Sequence, residues 1–66
     1  MKPEIRTNAG IVRPGNHIRI ISLEDPYDQT YNGKSGFVEF IDDMGQIHGT
    51  WGGLAIIPQW DTIEII

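Results

Sequence analysis

The stretch with the most potential for chemistry is IDDMGQIHGTW, Ile41 to Trp51, where two adjacent aspartates are followed five positions later by a histidine. An imidazole and two carboxylates suit several divalent ions, provided that all three converge on one point. Side chains of adjacent residues such as Asp42 and Asp43 tend to point apart. His48 falls beyond the turn, on the polar face of the next strand. Asp42-Asp43-Met44-Gly45 is also what a type I turn followed by a left-handed glycine requires. The expectation is therefore a turn, with no metal site. A second stretch, NGKSG at 32–36, ends like a phosphate-binding loop, but that pattern needs a glycine five residues before Gly33, and position 28 is an aspartate. No helix follows to aim its N-terminus at a phosphate, so no nucleotide cofactor is expected. For acid–base or nucleophilic catalysis the chain offers only His17, His48, hydroxyls and scattered carboxylates, with no cysteine. Both histidines are placed on outward faces, and no catalytic residue is expected.

The aromatic residues carry the better hypothesis. Tyr27 and Tyr31 lie in a long connection, and Trp60 follows Pro58 just before the last strand. A fold that brings these two segments together would line a shallow groove with Tyr27, Tyr31, Pro58 and Trp60, of the kind that accepts an extended peptide. Trp51 is assigned to the core. The alternative is a nucleic-acid face built from Arg13, His17, Arg19 and Lys34. Charge weighs against it, because the formal net charge is −4 and an acidic surface repels phosphates. The charge is unevenly spread: residues 1–22 hold four cations and Glu4, whereas residues 23–66 hold eight acids and Lys34. A nucleic-acid mimic acting through the acidic part is a third reading.

These side chains must be positioned by strands. Gly, Pro and Asn interrupt every window of helical length, and the apolar residues are mostly β-branched. Strands are expected over 17–22, 35–41, 46–51, 54–57 and 62–66, with a long polar connection over 23–34. Sixty-six residues make one small domain that can bury only about 60% of its unfolded surface. Closing five strands on themselves is the economical way to hide their edges. The expected fold is thus all-β, a small five-stranded SH3-like barrel over residues 13–66, with an OB-like barrel as the alternative. Residues 1–12 are expected to form an N-terminal arm, flexible or paired with a barrel edge, and weak self-association through barrel edges is a further expectation. No apolar run reaches signal-peptide length, so a cytoplasmic location is expected.

The segments IVRPGNHIRIIS, DPY, NGKSGFVEFIDDMGQIHGTW and GLAIIPQWDTIEII together resemble a family of small domains of unknown function found in Gram-positive bacteria, their phages and other mobile elements. The resemblance runs from Ile11 to Ile66. It rests on Pro14-Gly15, Asp25-Pro26-Tyr27, Gly33 with Gly36, Ile41-Asp42-Asp43, Gly45-Gln46-Ile47-His48, Trp51, Gly53-Leu54-Ala55 and Ile57-Pro58. It implies encoding by a phage or mobile element and no established activity, so the expected role, an accessory or protein-interaction module, rests on the aromatic residues. The first half, with PGNHIRI, Gly33 and GFVEFI, also looks like a KOW motif, which implies the alternative of an RNA- or nucleoprotein-binding module. Two residues depart from the family pattern. Trp60 stands where the family is usually polar, and Gly49 stands where it usually has a β-branched residue, which removes an inward side chain beside Trp51 and leaves open whether that space is filled, empty or used.

Overall fold

A computed structural model describes the backbone of residues 1–66 and every side chain except those of Tyr27 and Asp28. Six strands follow in chain order: β1 Ile5–Thr7, β2 Gly10–Val12, β3 His17–Ser22, β4 Ser35–Ile41, β5 Ile47–Gly49 and β6 Thr62–Ile65. They form two antiparallel sheets, β1-β2 and β5-β4-β3-β6. The domain is all-β, with six strands in two sheets in place of the five strands expected from the sequence.

Two local causes account for the difference. Residues 54–57 do not make a strand, because side chains take the backbone groups that a ladder would need. The Trp51 indole donates to the Leu54 carbonyl at 2.7 Å, and the Asp61 carboxylate accepts from the Ile57 amide at 2.8 Å. Only Ile56 remains to pair, exchanging two backbone hydrogen bonds of 2.9 Å with Ile47. The other cause lies at the N-terminus, where Thr7 Oγ1 accepts from the Ala9 amide and donates to the Gly10 carbonyl. That turn closes β1 onto β2 in register Ile5–Val12, Arg6–Ile11 and Thr7–Gly10.

Residues 1–12 thus form a hairpin with two attachments to the larger sheet. The Lys2 amide donates to the Ile41 carbonyl at the end of β4. At the far side, the Asn8 carboxamide accepts from the Ile63 amide at 2.9 Å and donates to the Ile63 carbonyl at 2.8 Å. One side chain occupies the place of a neighbouring strand and blunts the β6 edge, which would otherwise offer unpaired backbone groups to another chain.

Alternation along the strands decides what is buried. Ile18 and Ile20 of β3, Val38 and Ile41 of β4, Ile47 of β5 and Ile63 of β6 point inward, joined by Val12, Leu23, Trp51 and Ile56. Each fully buried isoleucine contributes about 1.5–3 kcal/mol. A register shift between Val38 and Phe40 lets Ile41 face inward while Phe40 joins the outer face. The connection read as a polar loop contains a 3-10 helix, Pro26–Tyr31. Pro26 starts it with a pre-set φ, and the Gln29 amide ties it back to the Leu23 and Asp25 carbonyls.

Gly49 answers the question that the sequence leaves open. No space is left beside Trp51, because the indole ring packs onto Gly49 where a Cβ would stand, together with the Phe37 carbonyl. The missing side chain admits the ring. Trp51 is 4% exposed as a result.

Candidate functional site

A groove of about 600 Å³ opens where the β3 end meets the segment before β6. One wall comes from Leu23, Glu24, Asp25 and Pro26, the other from Leu54, Ala55 and Ile57, with Trp60 and Asp61 completing it. Asp61 holds the walls together. Its Oδ1 accepts from the Glu24 amide at 2.9 Å and its Oδ2 from the Ile57 amide at 2.8 Å. The Asp61 amide donates back to the Ile57 carbonyl, so 57–61 is a tight turn clamped by its own last side chain. The carboxylate is 8% exposed, and hydrogen bonds to a buried charged acceptor are worth about 1.5–3 kcal/mol each. Trp60, next in the turn, is 64% exposed. A large ring is therefore held out over an apolar trough by a rigid backbone.

The residues expected to line an aromatic groove do not all meet. Trp60 lines it. Pro58 is half-buried in the same turn but is not among the lining residues. Tyr31 lies elsewhere, packed on the core, its hydroxyl donating to the Gly52 carbonyl at 3.0 Å. The Tyr27 side chain lies outside the described residues. The floor residues Leu54 and Ile57, and the clamp Asp61, were not singled out from the sequence. The readable signal for the clamp is the I-P-Q-W-D spacing, which sets a carboxylate four residues after an amide that it can cap.

The basic residues proposed as a nucleic-acid face are each engaged with a neighbour. Arg13 pairs with Glu4 at 2.9 Å and Arg19 with Glu64 at 2.6 Å. The Lys34 ammonium sits 5.4 Å from the centre of the Tyr31 ring. His17 shares the outer face of β3 with Arg19 and stacks on Phe37, the ring centres 4.4 Å apart.

That outer face holds a second stack, Phe40 on His48 at 4.3 Å and 6° between planes. His48 is therefore not a simple solvated residue, as its strand position implied. It reaches across the hairpin to Asp42, with Nε2 and Oδ2 2.8 Å apart. The expected turn forms beneath it: the Gly45 amide donates to the Asp42 carbonyl, and Gly45 adopts φ +83°. Asp42 Oδ1 also accepts from the Met44 and Gln46 amides. His48 first and the Gln46 amide second hold the Asp42 carboxyl below its ordinary 3.8. Asp43 points away to the N-terminal amine, whose hydrogen bond lowers its carboxyl too. Asp42 and His48 thus share a hairpin, and Asp43 does not complete a three-ligand set. Among the described residues no group of three His, Asp or Glu is placed to hold a metal.

The NGKSG segment enters a strand. The Gly33 amide is bound to the Ile20 carbonyl and the Lys34 amide to the Tyr31 carbonyl, which removes two of the donors a phosphate would need.

The model of one family, a domain of unknown function (DUF4314), matches residues 10–66. The chain belongs to this family. The matched span of the DUF4314 domain contains the whole groove and both histidine–phenylalanine stacks, while β1 precedes it. No curated protein and no solved structure matches the chain. Among the described residues of this DUF4314 domain, no helix is long and apolar enough to cross a membrane.

Proposed function

We propose that this DUF4314 domain is a non-enzymatic protein-interaction module with an SH3-like strand arrangement, an accessory factor of a phage or mobile element that works in the cytoplasm. The observation that carries the proposal is the groove: apolar floor, clamped walls and a Trp60 ring that is 64% exposed at its edge. An exposed tryptophan on rigid backbone is the kind of side chain that anchors an interface, because ordering it costs little entropy. The shape suits one extended segment of a partner protein.

The test is selection of displayed random peptides on the immobilised domain. Trp60→Ala should lose the selected binders while keeping the wild-type melting temperature. A large loss of stability would reassign Trp60 to the core.

The second reading, a KOW-like nucleic-acid module, is favoured by one observation, the two exposed phenylalanine rings stacked on histidines, since sheet-borne aromatics can stack on bases. It requires binding that weakens steeply with salt. Absence of binding to a panel of RNA and DNA at low salt would remove it.

A further inference from the structure

Resting on the groove reading, we infer that the segment the groove accepts presents an arginine, whose guanidinium lies on the Trp60 ring against the acidic rim. Three of the nine lining residues are acids, Glu24, Asp25 and Asp61, and none is a cation. The ion pairs among the described residues involve neither Glu24 nor Asp61. Asp61 spends its hydrogen-bonding capacity on two backbone amides, so its charge remains as a field at the groove base with no counter-ion beside it. Three of the chain's five lysines and arginines are held elsewhere, Arg13 on Glu4, Arg19 on Glu64 and Lys34 over Tyr31.

A cation is therefore the charge complement of this groove, and the ring decides which cation. No aromatic ring stacks on Trp60 among the described residues, which leaves its indole face for the partner. A planar guanidinium stacks on an indole while offering N–H donors at its edge to a carboxylate such as Glu24. A compact ammonium offers no plane. The three-methylene stem of an arginine would lie on Leu54 and Ile57, the apolar part of the same trough. An acidic or purely apolar segment brings no complement to Glu24 and Asp61.

The experiment uses the full chain and four heptapeptide pools with arginine, lysine, citrulline or glutamate fixed at the centre and neutral residues randomised around it. Citrulline keeps the planar shape but removes the charge. The arginine pool should be retained about tenfold over citrulline and glutamate, and a few-fold over lysine. Glu24→Gln should lower the arginine preference a few-fold without changing the melting temperature, and Trp60→Ala should abolish retention of every pool. Equal retention of arginine and citrulline through Trp60 overturns the arginine assignment and leaves the groove reading standing. Retention of no pool overturns both.

Discussion

The groove and the outer face of the large sheet both expose aromatic rings, but in opposite circumstances. On the sheet, Phe37 and Phe40 each have one face covered by a histidine of the neighbouring strand. His48 is fixed in turn by Asp42. In the groove, Trp60 borders an apolar cavity and two acids, Glu24 and Asp61, that none of the ion pairs among the described residues involves. Exposed apolar area alone therefore does not mark a binding surface here. The sheet rings complete one another within the fold, whereas the groove has concavity, a clamped backbone and an unmet charge. That difference is why the groove, and not the sheet face, is the binding surface we propose.

The comparison can be broken at its supports. The largest effect is expected from Asp61→Ala, which strips the acceptors of two amides on opposite walls and should cost about 3 kcal/mol in chemical denaturation. Such a loss is a large part of the stability of a domain this size. A change under about 0.5 kcal/mol would show that the walls are held without the clamp. Next is Gly49→Val, which drives methyl groups into the Trp51 ring and the Phe37 carbonyl and should cost about 2 kcal/mol or more. Wild-type stability in this variant would mean that the ring is displaced at no cost. Phe40→Ala on the sheet face removes one stack and should cost only about 0.5–1 kcal/mol, with peptide binding unchanged. Loss of binding in that variant would merge the two regions into one site.

The smallest effect is in acid. The Asp42 carboxyl is held below 3.8 in the folded chain, so its contribution is present above the unfolded value and disappears as pH falls through the lower folded one. Melting temperature should fall below about pH 4, and less steeply in Asp42→Asn. An identical acid profile in the variant would remove Asp42 as a source.

The strand pattern was legible wherever alternation was uninterrupted. His17–Ser22 and Ser35–Ile41 are strands over the expected residues, since β-branched residues at period two leave little choice. Residues 54–57 misled because their apolar run looks like a strand and outweighs the I-P-Q-W-D spacing of the Asp61 clamp, while the Trp51 indole on the Leu54 carbonyl has no local signature. Gly49 stayed undecided in the sequence for a related reason. An absent side chain does not say what takes its place, and only the fold shows the Trp51 indole lying there. Of the candidate groove, Trp60 was legible from its place after Pro58. The acids and aliphatic residues around it were not, because they come from segments about 30 residues apart, joined only by a side-chain clamp.

The most direct measurement of the central claim is an NMR titration of the full chain with an arginine-centred peptide, following side-chain resonances of both regions. The Trp60 indole N–H reports on the groove, since Trp60 is 64% exposed, and it is distinct from that of the core residue Trp51, which is hydrogen-bonded to Leu54. The account predicts that the Trp60 indole and the Leu54 and Ile57 methyl signals move together, with His17, Phe37, Phe40 and His48 still. Movement of those sheet rings while Trp60 stays fixed would contradict it.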